Sequence, residues 1–422
     1  MSTTFPAASP QIRPASAASM QRMLEAQPVL VDVLPAGEAL DGMTPDTVLV
    51  AGPVMAPGEY HGPQRDAIRY AAVHEGLAPD PDQAWERLVA GKIKLGHTLD
   101  YGCVGSTAGV HTFSTPVYRV EDPATGVRAH CGMYEFGTRR GLSLGVYDDE
   151  VRDRLHRLEE EVAPAIGAAV RAAGGIPLLP MMSRALRMGD ELHSRTLAAA
   201  HVLARTLMAP LADLGHPHRR TAIEYLTTID PLFLRLSMAA ATVIVTSGHG
   251  VPGSTVVTGM VMNCRRFHVR LAGSDRWFAA PLPEPRGRFF PGFSVDDVVW
   301  TGGESCMTEC AGLGGMAQAA APALLDYHDG DFAGLIRHNL GLYSIVRTEH
   351  PDLVIPALGF RGVPFGIDAE LVADTGLTPL IDVGYAGIGV GQVGAGSVRA
   401  PLACFTEALA AGAATGADAT GA

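Results

Sequence analysis

The sequence predicts a mixed α/β fold in three parts, and three observations carry that prediction. Short apolar runs, Val29-Leu30-Val31-Asp32-Val33 and Thr47-Val48-Leu49-Val50, lie between Gly/Pro turns and read as buried strands. From Asp149 to about Val245 apolar residues recur at helical spacing, with i,i+4 charge partners through Arg171. After Gly248-His249-Gly250 the strand-like Phe267-His268-Val269-Arg270-Leu271 and Trp277-Phe278-Ala279-Ala280 bring the α/β character back.

Taken in order, residues 1–27 read as a disordered tail, because the stretch through Ser19 is rich in Ser, Ala and Pro and lacks the apolar core of a secretory signal. Residues 28–148 form an N-terminal α/β part. It holds the two strands, helical patterns at about Gln64 to Glu75 and Pro81 to Ala90, and a Gly-, Ser- and Thr-rich stretch from Gly96 to Pro116. An aperiodic segment of that length inside a compact domain is usually functional. Residues 149–247 form a helical domain. Residues 248–409 form a C-terminal Gly-rich α/β domain with an Ala-rich helix near Gly315 to Leu325 and another from about Asp331 to Glu349. Residues 410–422 are an Ala/Gly/Thr tail with no reason to fold.

A chain of 422 residues, 47% hydrophobic and 18% charged, buries a large core. Its net charge of -12 and lack of a Lys/Arg block exclude a nucleic-acid groove or an acidic membrane surface, leaving small molecules as partners. The longest apolar run, around Met238 to Val245, is too short to cross a bilayer and reads as a buried helix. The six cysteines form no C-x-x-C pair, which points to reducing cytoplasm. No H-E-x-x-H occurs among the fifteen histidines, and His216 and His218 flank Pro217 in a solvated turn, so neither metal nor cofactor is expected.

The run Met188-Gly189-Asp190-Glu191-Leu192-His193-Ser194-Arg195 concentrates ionisable side chains beside an apolar helix. A helix starting there would put Asp190 and His193 on one face and pair Glu191 with Arg195 on another. The competing reading makes Asp190 a helix cap and His193 a packed core residue. Gly389-Val390-Gly391-Gln392-Val393-Gly394 spells a dinucleotide fingerprint, but no second βα unit follows it. What survives is a backbone cradle for phosphate or carboxylate at Gly391, Gln392, Gly394 and Gly396, or else a tight turn against a neighbouring strand. Within Gly302 to Gly315, Glu304 and Glu309 sit among small residues, as caps or as acid/base groups. Arg361 and Asp368 lie on a Pro/Gly turn, where the arginine suits a carboxylate ligand and an Arg361–Asp368 salt bridge is the alternative. Ser194-Arg195-Thr196 is similar to part of the Ser-x-Arg-Thr element of transcarbamoylases, with one position missing.

Read together, these segments resemble the YlbE-like family, a domain of unknown function associated with the oxamate carbamoyltransferase subunit of the AllG type. The resemblance runs from about Gly62 to Ala410 and rests on Met188-Gly189-Asp190-Glu191 with His193 and Arg195, Gly253 to Thr258, Phe290-Pro291-Gly292-Phe293, Thr308 to Gly315, Ile355-Pro356-Ala357-Leu358, and Gly391 to Gly396. It implies transfer of a carbamoyl group between phosphate and the amide nitrogen of oxamate or an oxalurate-like acid, by an enzyme or subunit in a hetero-oligomer with companion subunits. It implies catalytic roles for Asp190, His193, Arg195, Glu304 and Glu309, with His193 or Asp190 handling the proton. Substrate contacts would come from His97, Glu135, Arg361, Asp368, Gly391, Gln392, Gly394 and Gly396. Several polar positions depart from the family pattern. Ser194 and Thr196 stand where it has asparagines, Glu304 where it has aspartate, and Gly96 precedes His97 where it has cysteine. Such changes fit a shifted substrate or a noncatalytic subunit that binds or scaffolds; a C–N hydrolase on the same fold is the third expectation.

Overall fold

Val29–Pro35 is the hub of the largest sheet, pairing antiparallel with Pro116–Glu121 on one side and Ile176–Pro177 on the other. Arg128–Gly132 follows antiparallel, and Cys103–Val104 closes the edge in parallel. The computed structural model describes residues 12–137, 139–326 and 330–419. Helices Ala163–Ala172 and Phe233–Ser247 lie against this sheet and cover it. One continuous core runs from Met20 through Leu30, Val120, Ile166 and Phe233 to Phe365 and Phe405. A smaller core gathers around Val48, Ile68, Leu88 and Ile93, where Thr47–Val50 and Lys94–His97 pair in parallel across helices Gly62–His74 and Pro81–Val89.

The C-terminal part holds three antiparallel units: Val257–Met262 with Arg266–Leu271 and Phe278–Pro281; Leu380–Gly387 with Gly391–Arg399 and Gly287–Phe289; and the hairpin Val346–Ile355 with Arg361–Ile367. Helices and several small sheets make the mixed α/β class that the sequence predicts. Helix Phe233–Ser247, with the turn before it, is long and apolar enough to cross a bilayer by length and composition, and 72% of that window is buried inside the protein.

Four local expectations are corrected. Within the expected N-terminal tail, Pro14–Glu25 is a helix whose Met20 and Met23 enter the core. Its serines are buried with partners, Ser16 on Thr255 and Ser19 on the carbonyl of Gly248. At the other end, residues 410–419 belong to the helix Leu402–Ala419, anchored by buried Cys404, Phe405 and Ala408. Residues 1–11 and 420–422 of the two expected tails lie outside the described residues. The Ala-rich stretch near Gly315 is three short 3₁₀ turns, Gly314–Met316, Gln318–Ala320 and Pro322–Asp326, because Gln318 is drawn to Asp382 (2.6 Å) and Asn339 holds the amide of Ala319 (3.0 Å). The following helix is Phe332–Leu342, and from Val346 the chain is already strand, in keeping with its β-branched Val346 and Thr348. All six cysteines are free and buried.

Candidate functional site

The run Met188 to Arg195 is a loop, which replaces the expected helix start. Helix Leu178–Leu186 ends, the chain turns through Gly189 (φ +99°) and Leu192 (φ +74°), and helix Leu197–Asp213 begins after Thr196. A positive φ at a buried leucine is a costly conformation, held here by Ser237, whose hydroxyl donates to the Leu192 carbonyl (2.7 Å). Glu191 folds back on this loop and accepts from the amides of His193 and Arg195, both at 2.7 Å, so it does not make the expected side-chain pair. Asp190 accepts from the amide of Ala199 (2.8 Å), capping Leu197–Asp213, and lies 3.7 Å from Nε of Arg195. Burial raises the Asp190 carboxyl to about 6. Burial, then repulsion from Asp382, pushes Glu191 well above the carboxylate range.

The Gly302 to Gly315 segment supplies two buried carboxylates, each facing a histidine. Glu309 accepts from His193 Nδ1 (2.7 Å), the Thr308 hydroxyl (2.9 Å) and the amides of Gly315 (3.0 Å) and Asp382 (3.1 Å). Glu304 accepts from His97 Nε2 (2.8 Å), the Thr98 hydroxyl and the amides of Gly52 (2.9 Å) and Gly105 (2.7 Å). Burial alone would lower both histidines. The facing carboxylates overcome it: Glu309 holds His193 up at about 9, and Asp100 with Glu304 holds His97 up at about 9.

Only the His193 pair reaches open space. His193, Ser194, Arg195 and Thr196 line a cavity of about 390 Å³, together with residues from seven other stretches of chain. Three arginines border it. Arg195 is partly exposed, Arg139 stacks on Phe290 with its guanidinium carbon 4.0 Å from the ring centre, and Arg235 is 5% exposed. With Nδ1 engaged by Glu309, Nε2 of His193 is left for a ligand. Protonated at neutral pH, His193 joins the arginines in making the cavity a receptor for small anions.

The predicted residues divide accordingly. His193, Arg195 and Gln392 line the cavity; Glu309 stands one hydrogen bond behind His193, and Asp190 lies behind Arg195. Glu304 and His97 form a separate buried pair, although the neighbouring Gly302 and Ser305 line the cavity. Glu135 accepts from the amides of Leu142 (2.7 Å) and Ser143 (2.9 Å) and so shapes a loop. Arg361 pairs with Glu349 (2.7 Å) over the ring of Tyr343, and Asp368 pairs with Arg347 (2.7 Å) while capping helix Ala369–Thr375. Both belong to the hairpin and its exit, outside the cavity lining.

The glycine-rich end is corrected as well. Gly391, Gly394 and Gly396 lie in strand Gly391–Arg399, and the first two glycines of the apparent fingerprint shape a hairpin turn. A Cβ on Gly391 would sit 2.0 Å from the carbonyl of Arg139, and one on Gly396 would sit 1.8 Å from that of Arg286. These glycines therefore admit neighbouring backbone and form no phosphate cradle. The amide of Gln392 donates to the Arg139 carbonyl (2.7 Å), so the strand seats a cavity arginine.

Sequence reasoning missed Arg139, Arg235, Ser106 and Ser143, all on the cavity. Arg235 had a signal, as the one charged residue in helix Phe233–Ser247. A further group, His74, His156 and Glu159, places its ligand atoms within 4.8 Å of one another and could hold a metal ion, with His74 Nδ1 3.1 Å from the Tyr147 hydroxyl.

The family model described as oxamate carbamoyltransferase subunit AllG matches residues 93–305. The oxamate carbamoyltransferase subunit AllG of Escherichia coli (strain K12) is 35% identical over 403 residues, covering 94% of this chain and 96% of that protein. The uncharacterized protein YahG of the same organism is 33% identical over 404 residues, covering 94% of this chain and 85% of its own. A solved structure, of a conserved protein of unknown function from Enterococcus faecalis V583, superposes with a TM-score of 0.92 at 32% identity, covering 95% of this chain and 97% of the other. None of these matches carries the YlbE-like name. Near-complete coverage at this identity settles the kinship: the chain belongs to the family of the oxamate carbamoyltransferase subunit AllG.

Proposed function

We propose that the cavity transfers a carbamoyl group between phosphate and the nitrogen of a small amide acid such as oxamate, in the cytoplasm and together with companion subunits. The convergence of Arg139, Arg195, Arg235 and a protonated His193 on one space of about 390 Å³ carries this reading. In the forward direction the amide nitrogen of oxamate attacks the carbamoyl carbon of carbamoyl phosphate. The carbon–oxygen bond to phosphate breaks, and the nitrogen's proton leaves with the phosphate. Charge builds on the carbamoyl oxygen and on the departing phosphate, where His193 and Arg195 supply fixed donors in a pocket partly shielded from water. Asp190 orients Arg195, and Glu309 keeps His193 protonated.

The test is phosphate release and oxalurate formation from carbamoyl phosphate and oxamate, with and without the companion subunits. Arg195→Met should lower kcat/KM by about a hundredfold or more in the active assembly. A noncatalytic binding subunit is the second reading, favoured by one observation: the carboxylates nearest the cavity, Asp190, Glu191 and Glu309, are all occupied by backbone amides. Oxamate binding with no turnover in any assembly would select it, and ammonia release without phosphate would point to a hydrolase.

A further inference from the structure

Arg235 is the least satisfied charge around the cavity. Its side chain is 5% exposed, its Nε lacks any hydrogen-bond partner, and among the described residues no carboxylate lies within ion-pair distance of it. Its neighbours are neutral: the Cys131 thiol lies against its side chain, and the ring of Tyr134 is 5.2 Å from the guanidinium carbon. It also occupies the first turn of helix Phe233–Ser247, where the positive end of the helix dipole opposes a cation. Burying an unpaired charge is expensive, and a cation at a helix N-terminus adds to that cost. An anion placed there would relieve both.

The surroundings say where that anion sits. Arg235, Ser106 and Ser143 line the main cavity and also a second one of about 40 Å³ beside it, so they form the boundary between the two. Neither serine hydroxyl has a protein partner among the described residues. The other polar groups of the small cavity are already committed. His111 donates from Nδ1 to Gly109 (2.8 Å) and accepts at Nε2 from Gly132 (3.1 Å), which fixes it neutral; Glu135 is held by two amides, and Glu159 by His74 (2.8 Å).

We propose that Arg235, Ser106 and Ser143 form a carboxylate subsite at the inner wall of the cavity, holding the acid end of a small amide acid while its amide faces His193 and Arg195. The planar guanidinium matches a planar carboxylate, and the two hydroxyls supply further donors. This deepens the transfer reading, on which the orientation of the amide rests; the subsite itself stands on Arg235.

The experiment is thermal unfolding of the full chain alone and with oxamate, with neutral oxamide, or with inorganic phosphate. Oxamate should raise the Tm of the wild type, and oxamide should not. Arg235→Met should raise the Tm of the unliganded chain by roughly 2 °C or more, since an apolar side chain replaces an uncompensated buried cation, and should abolish the oxamate shift. Ser143→Ala should keep the fold and weaken oxamate binding by about tenfold. A lower Tm or failure to fold for Arg235→Met would make Arg235 a structural cation and overturn the proposal. So would equal protection by oxamide, or Arg235-dependent protection by phosphate without any by oxamate. Oxamate protection that needs Arg235, with no phosphate released in any assembly, would retire the transferase reading and leave the subsite. Carbamoyl transfer with Arg235→Met still protected by oxamate would do the reverse.

Discussion

His193 owes its charge chiefly to one neighbour, with Asp382 and Glu191 adding to it. Burial pushes its proton off, and Glu309 at 2.7 Å keeps it on, so the histidine stays a cation up to a pH of about 9. Glu309→Gln removes the largest part of that opposition. Its His193, left with only Asp382 and Glu191 to oppose burial, should titrate well below the wild-type value, measurable by NMR of the ring protons, and the protective effect of oxamate should be lost earlier as the pH rises, where the wild type retains it to about 9. Asp190→Asn leaves an amide to cap helix Leu197–Asp213 but removes the charge behind Arg195; stability should change by less than about 1 kcal/mol while Arg195-dependent anion binding weakens, a split that calorimetry resolves. At this scale the sequence was legible where charge density was unusual, as at Met188 to Arg195. Its helical geometry was misjudged because Gly189 and Leu192 turn the chain through positive φ, and no spacing rule marks a strained leucine. Arg361 stood out on a rigid turn, but Glu349 satisfies it locally; Arg235 was marked only as the lone charge of the helix that buries it.

At the scale of elements, strand packing explains the glycines of Gly391 to Gly396, and the terminal helices explain the described residues near both ends. The phosphate-like spelling at Gly391 to Gly396 arises because three strands pack closely there, and a side chain at Gly396 would strike the Arg286 carbonyl. Gly396→Ala should cost about 1–3 kcal/mol in urea unfolding through displaced backbone and should loosen the strand that seats Arg139. The N-terminal helix was illegible for another reason. Ser, Ala and Pro dominate its composition, and only tertiary partners reveal that Ser16, Ser19, Met20 and Met23 share a buried face. Met23 is fully buried, so Met23→Ala should destabilise the protein by about 2–5 kcal/mol, an outcome a disordered tail could not give. Strands at Val29–Pro35 and Thr47–Val50 were readable from β-branched runs between turns, since that pattern is local and needs no distant partner.

The whole molecule is tied together by contacts of very long sequence separation. The Gly302 to Gly315 segment meets the N-terminal part through His97–Glu304 and the central loop through His193–Glu309, so the two buried ion pairs join three regions of chain. Both histidines have folded pKa values raised from 6.5 to about 9, and a raised value stabilises the fold fully below 6.5 and is lost as the pH climbs through 9. Urea midpoints should therefore decline between neutral pH and about 10, and the decline should shrink in Glu309→Gln. The α/β class was legible because periodicities survive in any context, whereas the cavity was not, because its walls come from segments that only folding brings together.

The six sealed thiols give this chain a built-in clock. Burial raises the pKa of each of them, so a colourless disulfide reagent should find nothing to attack while the native state lasts. Every mixed disulfide formed under native conditions then records a breach. Because Cys306 and Cys310 flank Glu309 while Cys404 rides on the last helix, the order in which they yield would say which wall of the molecule gives way first.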